Sequence, residues 1–114
     1  PSDVCSLYSA NFQMVQQMVA DMVMKTEAAR ALVQKACWLR QTGSKDAGMF
    51  AAMAKCAASD AAMDVSMTAV QVMGGNGYSR ENQNEKYMRD AKVMQIYEGT
   101  NQIQRMVVAN GVRY

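Results

Sequence analysis

A stripe of small and apolar residues recurs through the first third of the chain in steps that alternate three and four: Phe12, Val15, Val19, Met22, Thr26, Ala29, Val33 and Ala36. That period belongs to a helix packed nearly parallel against other helices, and no strand reproduces it. The pattern predicts one helix from about Asn11 to Arg40, roughly 45 Å long at 1.5 Å per residue. Met18, Leu32 and Leu39 widen the stripe, so more than one neighbour is expected for it. Gln41-Thr42-Gly43-Ser44 ends the helix, with Gly43 as C-terminal cap and Ser44 as a candidate N-cap for the next.

The rest of the chain continues the all-α pattern. A single Pro leaves long helices possible, and strand formers are few beside abundant Ala, Met, Gln and Lys. A second helix is predicted from about Asp46 to Met73, with Met49, Met53, Cys56, Met63, Met67 and Val70 as its apolar stripe. Its many alanines permit close helix approach, and the Met residues read as core filler. Asp60 and Asp64, four apart on one face, read as solvated or locally paired. Gly74-Gly75-Asn76-Gly77-Tyr78-Ser79 breaks this helix. Such a break serves as a cap and turn, and it also offers bare backbone to a ligand phosphate. A short third helix is expected from about Gln83 to Lys92. Tyr87, Met88, Ala91 and Val93 form its apolar side, and Arg89 and Asp90 are expected to tie it to its neighbours. The count is four helices in a single domain over residues 1–114.

Charge and residue types exclude several functions. The net charge is +2 with both signs interspersed, which gives no reason to expect a nucleic acid or an anionic membrane as partner. No apolar run is long enough to span a bilayer, and the start shows no signal-peptide pattern. The chain does not begin with Met, so a processed or trimmed piece is expected. Cys5, Cys37 and Cys56 are widely spaced; Cys37 and Cys56 read as core thiols, which fits a reducing, intracellular compartment. With no CxxC and no His, metal binding is not expected. The same absence of His rules out Ser-His and Cys-His triads, so a general base must be Asp, Glu, Lys, Tyr or Cys.

One carboxylate stands out against that restriction. In Ile96-Tyr97-Glu98-Gly99-Thr100-Asn101-Gln102-Ile103-Gln104-Arg105, Glu98 lies on a tight corner just ahead of a helix start. The helix that follows carries Gln102, Ile103, Met106, Val107 and Asn110 at three- and four-residue spacing. A carboxylate on an exposed corner is available for chemistry. A corner of this kind is also a common structural device, and the pattern alone leaves both readings open.

Three segments together resemble the C-terminal signature of the acyl-CoA dehydrogenases: Gln71-Val-Met-Gly-Gly-Asn-Gly-Tyr78, Lys86-Tyr-Met-Arg-Asp-Ala-Lys92, and Ile96 to Arg105. Phe12-Gln13 and Ala20-Asp21-Met22 are similar to the helix that opens that family's C-terminal domain. The resemblance covers about Phe12 to Asn110. It implies an up-down four-helix bundle and an FAD enzyme that oxidises the Cα–Cβ bond of an acyl-CoA thioester to 2-enoyl-CoA. It places Glu98 as the catalytic base for the α-proton. The surrounding acyl pocket disfavours the charged carboxylate, while the helix N-terminus favours it. It places Tyr97 and Gly99 beside substrate, and Thr100, Asn101 and Gln102 beside FAD in the same subunit. Gln71, Gly74, Gly75 and Gln13 would reach FAD across a subunit interface. The partners implied are a second copy of the chain, in a dimer or tetramer, and an electron-transfer flavoprotein as acceptor.

The chain also departs from the family pattern. Ser2, Cys5 and Ser6 stand where the family has Arg-x-x-Phe-Gly, Glu81-Asn82-Gln83-Asn84 replaces an aromatic-Pro-aliphatic run, and Asn110 stands where Arg is common. The family's N-terminal helical domain and middle β-domain have no counterpart in these residues, so the isolated chain is expected to bind FAD weakly or not at all. The alternative is a stand-alone helical module for oligomerisation or acyl-ligand binding, without dehydrogenase activity.

Overall fold

The computed structural model describes residues 9–112. It holds α1 (Gln13–Gln41), α2 (Ala47–Met73), α3 (Gly75–Tyr78), α4 (Asn84–Met94) and α5 (Asn101–Gly111), with no strand among the described residues. The all-α expectation holds. The addition is α3, a single turn of four residues inside the glycine break. Ser2, Cys5 and Ser6 lie outside the described residues.

Helix ends are set locally. Phe12 is extended before α1 begins (φ −81°, ψ 128°). At the other end the Thr42 hydroxyl reaches back to the carbonyls of Trp38 (3.1 Å) and Leu39 (3.2 Å). Gly43 then takes φ +69°, the left-handed value that a glycine adopts without a Cβ clash. Ser44 is not the N-cap of α2. Asp46 occupies that position, and Ser44 Oγ accepts from the Asp46 N–H at 3.3 Å within the turn.

The hub is α2. It packs against α1 on one side and against α3, α4 and α5 elsewhere. The α1 and α2 helices run antiparallel, with Lys25 bonded to Asp64 at 3.0 Å and the Lys35 ammonium 4.5 Å from the centre of the Phe50 ring. The buried apolar residues are small: Ala29 and Ala36 of α1, Ala52, Ala54 and Cys56 of α2, and Ala91 of α4. Short side chains let the axes approach, and among the described residues no large side chain is fully buried.

The heptad stripe meets α2 in a shifted register. Val15, Met18, Met22, Ala29, Leu32, Ala36 and Leu39 are buried or half-buried, whereas Phe12, Val19, Thr26 and Val33 are exposed. Met18, Leu32 and Leu39 therefore belong to the inner row. Two apolar rows exist on α1, but α2 is its main neighbour within the chain and covers one of them. Cys37, next to Ala36 and off the inner row, is exposed rather than a core thiol; Cys56 is buried as expected.

The smaller helices correct the sequence reading in the same way. On α4, Met88 and Ala91 turn inward while Tyr87 and Val93 are exposed. Arg89 and Asp90 do not tie α4 to its neighbours: they pair along α4 itself, with Glu85 and Lys86. On α5 the inward row is Asn101, Gln104, Val108 and Gly111, and Ile103, Met106 and Val107 are exposed. Met67 of α2 is exposed as well, unlike the other members of its stripe. On α5 the apolar spacing is helical, but the inward face is set by Asn101 and Gly111 meeting α2. A Cβ on Gly111 would sit 2.8 Å from Met49 Sδ, so glycine at that position permits the close contact.

Candidate active site at the corner between α4 and α5

The corner is built from backbone that few residues adopt. Tyr97 N–H still donates to the Val93 carbonyl at 3.0 Å, closing α4. Glu98 follows with φ +54°, and Gly99 with φ +84°. Among the described residues Glu98 alone holds a left-handed φ without being glycine, a conformation that survives only where the surroundings determine it. Thr100 then returns to extended backbone, and its Oγ caps α5 by accepting from the Ile103 N–H at 3.3 Å. Glu98 and Tyr97 are both exposed.

Beneath the corner lies a polar network anchored on α2. Lys55 Nζ donates to the Gly99 carbonyl at 2.9 Å and to Asn101 Oδ1 at 2.6 Å. Asn101 is 3% exposed. Its amide nitrogen donates to Ser59 Oγ and to Asp60 Oδ1, each at 2.8 Å. Asp60 also accepts from Gln95 Nε2 at 2.6 Å and from Arg105 Nη2 at 2.6 Å. The backbone closes the same loop, since Asn101 N–H donates to the Gln95 carbonyl at 3.0 Å. Burial works to raise the Asp60 carboxyl. Hydrogen bonds from Arg105, Gln95 and Asn101, with the Arg105 charge, outweigh it and hold the group below its ordinary range.

Asp60 is half-buried and paired at long range rather than solvated or locally paired, whereas Asp64 is exposed as expected and pairs with Lys25 of α1. Asp60 fastens α4 and α5 to α2, and Asp64 fastens α1. Lys55, Ser59, Gln95 and Arg105 were missed as functional residues. The available signal was Lys55, Ser59 and Asp60 in an Ala-rich helix, four and five residues apart on one side. Their partners on α4 and α5 carry no such mark.

The sequence-predicted site residues fall into two groups. Tyr97, Glu98, Gly99, Thr100, Asn101 and Gln102 gather at the corner held by Lys55, Ser59 and Asp60, beside the middle of α2. Thr100, Asn101 and Gln102 line a cleft of about 470 Å³, together with Lys92, Gln95, Ile96, Asp60 and Arg105. Asn101 enters that wall with both ends of its side chain already bonded inside the chain. Gln71, Gly74 and Gly75 stand at the C-terminal end of α2, where the antiparallel start of α1 also puts Gln13. Lys55 and Gln71 are separated by about 24 Å of helix. Gly74 turns the chain with φ +59°, and nothing lies within 4 Å of where a Cβ would stand on Gly74 or Gly75. Gly77 differs: a Cβ there would meet Met73 Cβ at 2.7 Å and the Val70 carbonyl at 2.8 Å, so this glycine serves packing.

Open glycine backbone at the C-terminal end of α2 leaves room for a close approach, and the polar, partly cationic cleft beside the middle of α2 holds donors near an exposed carboxylate. One chain does not bring the groups together.

Residues 9–113 match the family model described as acyl-CoA dehydrogenase, C-terminal domain. The chain is 52% identical over 103 residues to the probable acyl-CoA dehydrogenase FadE25 of Mycobacterium tuberculosis, covering 90% of this chain and 26% of that protein. The solved butyryl-CoA dehydrogenase of Megasphaera elsdenii superposes with a TM-score of 0.85 at 50% identity, covering 89% of this chain and 26% of that one. The FAD complex of PigA superposes with a TM-score of 0.84 at 30% identity, again covering 89% and 26%. The chain spans about a quarter of the length of the relatives it matches.

Proposed function

The chain belongs to the acyl-CoA dehydrogenase family, as its C-terminal helical domain, and from that premise we propose that Glu98 is the base of an FAD-dependent oxidation of acyl-CoA to 2-enoyl-CoA. The observation that carries this reading is the corner itself. An exposed carboxylate sits on strained, left-handed backbone that two other helices hold in place. A chain without His has few other candidates for a base.

FAD, when bound, supplies the acceptor for the hydride that leaves Cβ. Thr100 and Gln102 of one copy would hold it, together with Gln71, Gly74, Gly75 and Gln13 of another. Within the chain, the Glu98 carboxylate takes the proton from Cα as the hydride departs, so the electron pair of the Cα–H bond becomes the new double bond. The Glu98 backbone N–H polarises the thioester carbonyl and makes the α-proton more acidic. Gly99 and Tyr97 border the thioester. Asn101 supports the corner from beneath. The activity requires the domains that complete the longer relatives and a second copy of this one; an electron-transfer flavoprotein takes the electrons onward.

The test is Glu98→Gln in the flavin-loaded enzyme. The amide keeps the size and removes the basic lone pair. Flavin reduction by acyl-CoA is expected to fall by at least about a hundredfold, with FAD content unchanged. Reduction at the wild-type rate would mean that the base lies elsewhere.

A further inference from the structure

The Glu98 corner contains two consecutive residues with left-handed φ, at +54° and +84°. A turn of this kind has soft alternatives unless its peptide planes are fixed. Two bonds fix them. Gln104 Nε2 holds the carbonyl of Glu98 at 2.9 Å, and Lys55 Nζ holds the carbonyl of Gly99 at 2.9 Å. The first bond comes from α5, the element that the corner itself starts, and it moves with the corner. The second comes from α2, the hub of the fold.

We propose that Lys55 is a positioning residue for the reaction: its ammonium, bonded to the Gly99 carbonyl and the Asn101 side chain, fixes the direction in which the corner presents Glu98. The proposal rests on the reading of Glu98 as base and adds to it the group that aims the base.

Three features make Lys55 suited to this task. It is half-buried, and its bond to Asn101 lies partly out of water. Both bonds are charge-assisted, hence short and directional. Its second acceptor is immobile, because Asn101 is bonded to Ser59 and Asp60, and Asp60 to Gln95 and Arg105. Gln95 precedes the corner and Arg105 follows it. The ammonium is therefore referenced to α2, to the end of α4 and to the start of α5 at once. Lys55 need not touch substrate: it acts through the peptide plane of Gly99.

The experiment separates aiming from mere stabilisation. In the 114-residue chain, Lys55→Met should leave helical circular dichroism unchanged and speed hydrogen exchange of the Asn101 amide by about tenfold or more, with α1 amides unaffected. In the flavin-loaded enzyme, Lys55→Met should slow flavin reduction by about 10–100-fold, the size expected for a displacement near 1 Å, with KM and FAD content within about twofold. In a Glu98→Gln background the same substitution should cost less than about twofold, because a positioning residue has nothing left to position. Lys55→Gln keeps a donor and should fall between wild type and Lys55→Met; it also decides the matter if the Met variant folds poorly. A lower melting temperature with unchanged corner exchange and unchanged rate would overturn the proposal, and so would rate losses that add in the double variant. If Glu98→Gln alone keeps the full rate, the base reading fails, and the aiming proposal falls with it. Faster Asn101 exchange in Lys55→Met would then still establish Lys55 as the clamp of the corner.

Discussion

Gln104 Nε2 donates to the backbone carbonyl of Glu98 at 2.9 Å, so α5 clamps the corner from which it begins. The clamp matters because Glu98 has a left-handed φ of +54°, which disfavours a residue with a Cβ by roughly 1–2 kcal/mol. Asn tolerates this backbone better than Glu, and Val tolerates it least. Glu98→Asn should leave stability unchanged or raise it by up to about 0.5 kcal/mol, and Glu98→Val should lower it by about 1–2 kcal/mol. Urea denaturation of both variants checks the ordering. Equal losses would show that the strain is not carried at this residue.

Asn101 and Gln102 are neighbours with opposite environments. Asn101 is 3% exposed and bonded at both ends of its side chain, whereas Gln102 is exposed on the cleft wall. Asn101→Ala leaves Lys55 and Asp60 short of partners and should destabilise the chain by about 2–3 kcal/mol. Gln102→Ala should stay within about 0.5 kcal/mol. Thermal melts distinguish the two.

The Asp60 network predicts an acid response. The Asp60 carboxyl titrates below its ordinary value of 3.8 in the folded chain, so on acidification the unfolded chain takes up the proton first. The stabilisation is complete above about pH 4 and fades as pH falls through the depressed folded value. Asp60→Asn should be less stable than wild type at pH 7, and the gap should narrow below about pH 4. A gap that stays constant from pH 7 to pH 2 would argue against the network as its origin.

Gly75 and Gly77 stand two positions apart and serve different ends. Gly77→Ala drives a Cβ into Met73 and the Val70 carbonyl, and should lower stability by about 1–3 kcal/mol. Gly75→Ala meets open space and should change stability by less than about 0.5 kcal/mol. In the assembled enzyme, Gly75→Ala should nonetheless weaken FAD retention, measured by flavin absorbance after gel filtration. Retention equal to wild type would remove Gly75 from the cofactor contacts.

The exposed apolar residues of α1 predict association. Phe12, Val19 and Val23 lie along one outer side of α1 and are 63%, 43% and 56% exposed, an apolar row that marks a face meant to be covered. The chain should self-associate at tens of micromolar, and Val19→Glu with Val23→Glu should shift it toward monomer in sedimentation velocity. A wild-type chain that stays monomeric throughout would leave that face to a different polypeptide.

Helix positions were legible because their causes are local. The three-four spacing from Phe12 to Ala36, the left-handed Gly43 and the glycine break after Met73 each act within one turn of chain. The Glu98 corner was legible too, since Gly99 and Thr100 mark a turn and a cap by residue type alone. Facing was not legible. On α1 the spacing of Val15, Val19, Met22, Val33 and Ala36 fits two adjacent rows equally well, and only contact with α2 chooses the row that is buried. On α5 the apolar residues Ile103, Met106 and Val107 look outward because Asn101 and Gly111 meet α2 instead. Nor does any local pattern join Lys55 to Gly99 or Asp60 to Arg105, which lie more than forty residues apart. The sequence by itself determined where the longer helices run, where the chain breaks between them and where the exposed carboxylate stands. Tertiary structure alone decided which faces close and what holds that carboxylate, because burial and long-range hydrogen bonds depend on neighbours that only the packed chain supplies.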